Sequence, residues 1–160
     1  MNEHQVQTLF SSNKNYWETP QWLFEELDSE FHFALDAAAS DSNHKCKQYF
    51  TVEDDGLRQN WEGQTVFVNP PYGNKETGEW TRKCYEEAQK PGTTVVLLIP
   101  ARTDRKSFHT YIYDANTYAT KPGVALRFLG GRLKFELDGT PVGTAPFPSM
   151  IVVFKDVPRA

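Results

Sequence analysis

The spacing of hydrophobic positions switches along the chain between a helical period and a strand period. Near the N-terminus, apolar residues recur with helical spacing at Trp22, Leu23 and Leu27. Thr19 is expected to cap this helix, with Pro20 at its first helical position. Residues 1–15, which precede it, are polar and are expected to form a loose segment.

Strands and helices are predicted to alternate through the rest of the chain. The apolar patterns that are typical of strands occur at residues 31–36, 64–68, 93–99 and 150–154. Helical spacing recurs at residues 77–90 and 104–115, whereas residues 37–63 are polar and irregular. Two further apolar runs, 124–129 and 132–137, flank Gly130-Gly131 and predict a β-hairpin.

This order of elements predicts a compact α/β fold with a mostly parallel sheet and an antiparallel C-terminal hairpin. Residues 16–160 suffice for a single domain with its own core, and they leave no room for a separate target-recognition domain. Ligands of such sheets bind beyond the carboxyl ends of the strands. Asp36 and Asn69 both fall at predicted strand ends.

Composition narrows the class of protein. With 39% hydrophobic and 24% charged residues, the chain is typical of globular rather than disordered proteins. No apolar stretch approaches the roughly 18 residues of a membrane span, and the N-terminus lacks the pattern of a signal peptide. Cys46 and Cys84 are too few for a disulfide framework, and His44 with Cys46 lacks the second pair of a metal site. We therefore expect a cytoplasmic protein with no membrane and no metal ion.

The net charge of −4 does not by itself indicate a nucleic-acid partner, but the charges are unevenly distributed. Residues 1–69 carry 4 basic and 12 acidic side chains, whereas residues 70–160 carry 13 basic and 9 acidic ones. Residues 99–134 hold 7 basic side chains and 2 acidic ones. A local basic surface can attract phosphates on an acidic protein, although charge also fluctuates along any chain.

Asn69-Pro70-Pro71-Tyr72 is the segment with the clearest chemical meaning. Its prolines make a stiff turn that presents carbonyl groups. The Asn69 carboxamide oxygen and the Pro70 carbonyl can converge on one amino group, while Tyr72 offers a flat face for stacking. Two acceptors on the amino group of adenine would localise the lone pair of its nitrogen, so that no titrating base is needed. The alternative is an ordinary Asn-Pro turn.

The chain resembles the phage-type, Dam-like DNA N6-adenine methyltransferases over nearly its whole length. The resemblance rests on several segments together: Trp17-Glu18-Thr19-Pro20, residues 33–40, Asp55-Gly56-Leu57 with Trp61, and residues 66–73, 98–104 and 131–135. It implies a Rossmann-like class I fold and S-adenosylmethionine as methyl donor. It also implies a flipped-out adenine in double-stranded DNA as substrate, a short palindromic target such as GATC, and a phage or prophage origin within a bacterial cell.

The same resemblance implies cofactor-binding positions, at Thr19, Pro20, Asp36, Ala37, Ser40, Asp55, Leu57 and Asn69. Thr19 and Pro20 would lie near the cofactor carboxylate, the loop that begins at Asp36 near its methionine moiety, and Asp55 and Leu57 at its adenine ring. Three alanines replace the glycines that are usual in the first loop, and the usual acidic ribose ligand is not evident.

Each of these cofactor positions has a structural alternative. Asp36 could cap the segment that follows it. Asp55 could be a turn residue, with Asp54 in its role. Thr19-Pro20 could be only a helix start.

Contacts to DNA are assigned to two basic clusters and one aromatic residue: Arg102, Arg105 and Lys106; Arg132 and Lys134; and Phe147. The basic side chains would hold backbone phosphates, which positions DNA without reading its sequence. A flipped base needs a second wall opposite Tyr72, and Phe147 is the candidate. The alternatives are a solvated helix face and ordinary core packing. A monomer or weak homodimer is expected.

Two other functions stay open at this point. The same Asn69 turn would suit a methyltransferase that acts on RNA or on a protein amide. The alanine-rich loop after Asp36 would suit a non-catalytic protein that binds DNA or a restriction component.

Overall fold

The computed structural model describes residues 16–159, so the loose segment expected at residues 1–15 lies outside the described residues. In chain order the elements are α1 (Gln21–Phe31), β1 (Leu35–Asp36), β2 (Gln48–Tyr49), a 3-10 helix (Gly56–Arg58), β3 (Thr65–Val68), α2 (Asn74–Glu87), β4 (Thr94–Pro100), a π-helix (Phe108–Ile112), β5 (Tyr113–Asp114), β6 (Ala119–Thr120), β7 (Val124–Phe128), β8 (Lys134–Leu137), β9 (Thr140–Thr144) and β10 (Ser149–Lys155). Within the described range, no helix has the length and apolar character needed to cross a membrane.

Six strands form the central sheet in the order β2-β1-β3-β4-β10-β7. The first four strands are parallel, whereas β10 runs antiparallel to both β4 and β7. Consecutive residues along β4 and β10 are buried, so the core covers both faces of the sheet there. The prediction of an α/β fold with a mostly parallel sheet is confirmed. Because β7 runs parallel to β4, the carboxyl ends of β1, β3, β4 and β7 lie along one edge.

The first helix begins one residue later than the sequence predicts. Pro20 is the N-cap residue, and no neighbouring side chain makes a capping hydrogen bond to the helix. The expectation that Thr19 caps the helix is therefore wrong. The backbone N–H of Gln21 instead donates to the Glu136 carboxylate at 3.1 Å. A carboxylate is favoured at this end because the helix N-terminus carries partial positive charge. The cap therefore comes from a residue far along the chain.

The end of α1 also differs from expectation. The helix runs through Phe31, and His32 ends it in a left-handed conformation with φ 57°. The strand expected at residues 31–36 is consequently reduced to the two residues of β1. Trp22, expected on the buried face, is exposed, and the core contacts come from Leu23, Phe24 and Leu27.

Elements in the middle of the chain shift for local reasons. α2 begins at Asn74, three residues before the predicted start. The helix expected at 104–115 ends at Ile112, because the following residues pair as β5 with β6 and leave Ala115 exposed. The segment 37–63, expected to be irregular, contains β2, which pairs in parallel with β1 at the sheet edge.

The hairpin expected around Gly130-Gly131 is wrong. β7 pairs with β10, and β8 pairs with β9 through a two-residue turn at Asp138 and Gly139. Both turn residues have positive φ, 50° and 77°, which is what a type I′ turn requires. The Gly130-Gly131 segment instead connects β7 of the central sheet to β8 of a separate two-stranded sheet. Of these two glycines, Gly131 has positive φ. The structure thus retains an antiparallel hairpin, one element later.

A buried ion cluster fastens the end of α2. Glu87 is buried, and its carboxylate contacts the ammonium groups of Lys83 and of Lys90, the latter at 2.5 Å. Burial opposes ionisation of Glu87, but hydrogen bonds from the two lysines outweigh it and lower its pKa. The folded state therefore favours the charged carboxylate.

We expect Glu87→Gln to reduce the free energy of unfolding by about 3 kcal/mol at pH 7, because two lysines lose their buried counter-ion. A lowered carboxyl pKa adds stability above its unfolded value and loses it as the pH falls through the folded value. The deficit of the variant should therefore shrink on acidification below about pH 4.5. Chemical denaturation at pH 7 and at lower pH measures both effects.

Glu86→Gln is the matched control, since the Glu86–Arg82 pair is exposed and contributes little. Equal losses in the two variants would contradict the buried-cluster account.

Candidate active site

A cavity of about 480 Å³ lies at the carboxyl ends of β1 and β3. This is the edge at which parallel α/β sheets bind ligands, and the volume suits a small molecule. Its lining is Tyr16, Trp17, Glu18, Thr19, Asp36, Ala37, Ala38, Ala39, Ser40, Asn43, Lys45, Phe50, Thr51, Val52, Asp55, Gly56, Leu57, Phe67, Asn69, Pro70, Pro71, Trp80 and Leu137. Most of the cofactor positions expected from the sequence are in this set. Pro20 is the exception, because it is buried at the start of α1.

Asp36 ends β1 with its side chain at the cavity. One carboxylate oxygen accepts from the backbone N–H of Lys45 at 2.9 Å, and the other from that of Ala38 at 3.4 Å. Burial raises the pKa of Asp36, while these two hydrogen bonds and the Lys45 charge oppose the rise. Asp36 therefore binds the backbone of the loop that follows it and also borders the cavity. The alternative that Asp36 caps the following segment thus describes part of what it does.

The 3-10 helix supplies a second wall of the cavity. Asp55 precedes it in a left-handed conformation with φ 56°, and Asp55 and Leu57 both line the cavity. Asp54 does not line it, and its carboxylate instead accepts from the backbone N–H and the hydroxyl of Thr51. Between the two lining residues, Gly56 lies so close to Ala37 that an added Cβ would be 2.3 Å from its carbonyl oxygen. The two cavity walls thus touch through this glycine.

Asn69 directly follows β3, and its carboxamide makes three hydrogen bonds within the chain. Its Nδ2 donates to the Trp17 carbonyl at 2.5 Å and to the Thr19 hydroxyl at 2.9 Å. Its Oδ1 accepts from the Tyr72 hydroxyl at 2.5 Å. Both amide protons are therefore used, and the only unused capacity is the second lone pair of Oδ1. The group can accept from one more donor and can donate to none.

Tyr72 does not present its ring to the cavity. It is 8% exposed, and burial raises the pKa of its hydroxyl well above the usual value. Its ring contacts Phe135 and Phe147 edge-on, at centroid distances of 6.0 and 5.6 Å, and Trp17 contacts the same two rings. Phe147 is 4% exposed. The alternative of core packing therefore describes Phe147 in this structure, and no slot separates it from Tyr72.

Comparisons with known proteins identify the family of the chain. The family model for DNA N-6-adenine-methyltransferase (Dam) matches residues 6–159. The chain belongs to the Dam family.

Curated relatives agree with this assignment. The DNA N-6-adenine-methyltransferase of Haemophilus phage HP1 is 27% identical over 146 residues, which cover 90% of this chain and 80% of the relative. That of Escherichia phage T1 is 25% identical over 152 residues, with 84% and 62% covered. A putative methyltransferase of Escherichia coli K12, YfdM, is 35% identical over 63 residues, with 35% and 69% covered. The predicted phage-type family and the enzyme class, a DNA adenine methyltransferase, are confirmed.

Five basic residues of this Dam family member come after strands whose carboxyl ends lie at the cavity edge. Arg102, Arg105 and Lys106 follow β4, Arg132 lies between β7 and β8, and Lys134 is the first residue of β8. No ion pair within residues 16–159 involves any of these five. The Arg102 guanidinium lies 5.8 Å from the Phe147 ring centre, which connects this basic cluster to the aromatic one. In the described part of the chain, no three His, Cys, Asp or Glu side chains are grouped to hold a metal ion.

Sequence reasoning missed several lining residues of the Dam cavity. Trp17 was noted only as part of a segment that carries the family resemblance, Trp80 lies on the apolar stripe of a predicted helix, and Lys45 lies in a segment without periodicity. Lys45 is the one cationic residue of the cavity lining as described, and its Nζ donates to the Gln21 side chain at 2.8 Å. No sequence signal marks it, since its place depends on the bonds between its backbone and Asp36.

We expect Gly56→Ala to lower the free energy of unfolding by about 1–3 kcal/mol, because the added Cβ clashes with the Ala37 backbone and lies 3.0 Å from Trp80. Gly130→Ala is the control, since a Cβ there meets nothing within 4 Å and its φ is not positive. Thermal and chemical denaturation of both variants measure the difference. A Gly56→Ala protein as stable as Gly130→Ala would show that the two walls do not touch.

Proposed function

We propose that this chain transfers a methyl group from S-adenosylmethionine to N6 of an adenine flipped out of duplex DNA. The observation that carries the proposal is the Asn69 carboxamide, which can only accept one further hydrogen bond and which borders the cavity. The adenine amino group can donate the hydrogen bond that Asn69 Oδ1 can still accept. The family and its phage relatives support DNA as the substrate.

The charged groups that line the cavity match those of S-adenosylmethionine. A zwitterionic methionine end needs an anion and a cation close together, and the lining offers the buried Asp36 carboxylate and the Lys45 ammonium. The Lys45 backbone N–H donates to the Asp36 carboxylate at 2.9 Å, so the two residues are neighbours in the lining. Asp55 and Leu57, on the 3-10 helix wall, would take the adenine end. Thr19, Ala37, Ser40 and Pro20 adjoin the methionine end in this proposal.

The chemistry follows from these groups. S-adenosylmethionine supplies a methyl on sulfonium sulfur, and the methyl–sulfur bond electrons stay on sulfur as the carbon bonds to N6. Asn69 Oδ1 and the Pro70 carbonyl hold the amino protons and localise the lone pair on N6. Pro70 and Pro71 keep that turn stiff. The N6 proton is lost to water, since Asn69 cannot act as a base near neutral pH.

The aromatic cluster must open before a base is stacked. A base between two rings needs about 7 Å, two contacts of about 3.5 Å each. Tyr72 and Phe147 lie edge-on, at an interplanar angle of 81°. In our proposal Tyr72 stacks on the flipped adenine, and Phe147 is the opposite wall only after the segment 145–148 has moved.

The DNA surface is proposed at the same edge, on Arg102, Arg105, Lys106, Arg132 and Lys134. Their exposed or half-exposed positions suit phosphate contacts. We propose residues 16–160 as a single methyltransferase domain that acts on a short palindrome such as GATC, as a monomer or weak homodimer in the bacterial cytoplasm.

We also propose that the fold is the Rossmann-like class I type. The parallel strands on one side of the sheet and the antiparallel β10 between β4 and β7 support this assignment. β1 and β3, whose carboxyl ends border the cavity, are neighbours in the sheet. Folds of this type bind nucleotides at the carboxyl ends of such strands.

Asn69→Ala tests the proposal directly. We expect methyl transfer to adenine-containing duplex DNA to fall at least about a hundredfold, with S-adenosylmethionine binding retained, because the acceptor acts on the amine. Transfer of a labelled methyl group measures the first quantity and calorimetry the second. Asn74→Ala, at an exposed position in the first turn of α2, is the control and should keep full activity.

Wild-type activity on RNA or protein that duplex DNA does not suppress would favour another methyl acceptor. Full DNA binding with no methyl transfer by the wild type would favour the non-catalytic alternative.

Lys45→Met tests the cofactor assignment. We expect affinity for S-adenosylmethionine to fall about tenfold, since a charge-assisted hydrogen bond to its carboxylate is lost. Affinity for decarboxylated S-adenosylmethionine should not change. Lys47→Met, an exposed neighbour outside the cavity, is the control. Equal losses for both ligands in Lys45→Met would overturn the carboxylate contact.

A further inference from the structure

We propose that Thr19 is a positioning residue that, together with the Trp17 carbonyl, holds the Asn69 carboxamide nitrogen in place, so that the carboxamide oxygen faces the methyl acceptor. The inference rests on the proposed function and adds a role that cofactor binding at Thr19 does not include. It comes from the contact between the Thr19 hydroxyl and Asn69 Nδ2 at 2.9 Å.

The orientation of the carboxamide follows from its neighbours. A backbone carbonyl can only accept, so the group that faces the Trp17 carbonyl at 2.5 Å must be the amide nitrogen. The second proton of that nitrogen points to the Thr19 hydroxyl. The oxygen consequently faces Tyr72, whose hydroxyl donates to it. A carboxamide rotated by 180° would set nitrogen against the Tyr72 side and could not accept from an amine.

The Thr19 side chain is held firmly enough for this task. It is 2% exposed and immediately precedes the N-cap of α1. The backbone carbonyl of Glu18 accepts from Glu136 N–H at 2.9 Å, and the Glu136 carboxylate accepts from Gln21 N–H. The chain is therefore tied to β8 on both sides of Thr19. The hydroxyl has no capping duty, so it is available as an acceptor for Asn69.

Tyr72 completes the arrangement. Its hydroxyl carries one proton and has two acceptors, Asn69 Oδ1 at 2.5 Å and the Leu98 carbonyl at 3.2 Å. With no base bound, the Tyr72 hydroxyl donates to Oδ1 of the half-buried Asn69. When an amine donates to Oδ1, the hydroxyl proton can turn to Leu98. In both states the Trp17 carbonyl, which can only accept, keeps the nitrogen on its own side, and the Thr19 hydroxyl holds that nitrogen at a second point.

The test compares Thr19→Val, which has a similar volume but no acceptor, with Thr19→Ser, which keeps the hydroxyl. We expect kcat at saturating S-adenosylmethionine to fall about tenfold in Thr19→Val, the effect of one lost hydrogen bond of ordinary strength, with affinity for S-adenosylmethionine changed by less than about twofold. The loss is partial because the Trp17 carbonyl still binds Nδ2. Thr19→Ser should restore kcat to within about twofold of the wild type.

Thr81→Val is the matched control, because Thr81 is fully buried and its hydroxyl bonds only to the backbone of α2. It should keep the wild-type kcat. If Thr19→Val does not fold, Thr19→Ala removes the same acceptor with a smaller side chain, and the same kcat loss is expected.

An unchanged kcat in the hydroxyl-free variants, whatever happens to cofactor affinity, would overturn the positioning role. So would a Thr19→Ser enzyme as slow as Thr19→Val. A wild-type enzyme that transfers no methyl group to DNA would instead count against the proposed function, so the two failures are distinguishable.

Discussion

The parallel pairing of β1 with β3 is the constraint on which the site depends. Asp36 is opposite Phe67, and the Ala37 N–H donates to the Phe67 carbonyl at 3.1 Å. This register puts Asp36 and Asn69 at neighbouring strand ends. A slip of one residue would turn each side chain to the other face of the sheet and separate the carboxylate from the carboxamide. The cavity, the loop after Asp36 and the Asn69 turn all follow from this pairing.

The second constraint is a set of long-range contacts that residues 17–19 make at the site. The segment 17–19 contacts Asn69 on one side and β8 on the other, through the Glu18–Glu136 backbone bridge. Phe135 of β8 then reaches Tyr72 from the same strand. The start of α1, the Asn69–Tyr72 turn and the β8–β9 hairpin are therefore connected by direct contacts, so that a movement of the hairpin would displace the neighbours of Tyr72.

Local sequence rules worked where the local interaction is strong, and failed where a distant one overrides it. The buried run of β4 was predicted within one residue, since its apolar residues need both sheet faces covered. The Asp138-Gly139 turn was overlooked although Asp-Gly is a strong hairpin signal, because Gly130-Gly131 stood between two apolar runs. The cap of α1 could not be predicted, since it is supplied by Glu136, 115 residues away.

By itself, the sequence determined the family, the order of most strands and helices, and the placement of Asp36 and Asn69 at strand ends, because hydrophobic period and short motifs are local properties. Only the tertiary structure decided that Thr19 contacts Asn69, that Lys45 borders the cavity, and that Tyr72 and Phe147 are buried against each other. Those contacts join residues far apart along the chain, and their geometry depends on strand register and on the packing of the β8–β9 hairpin.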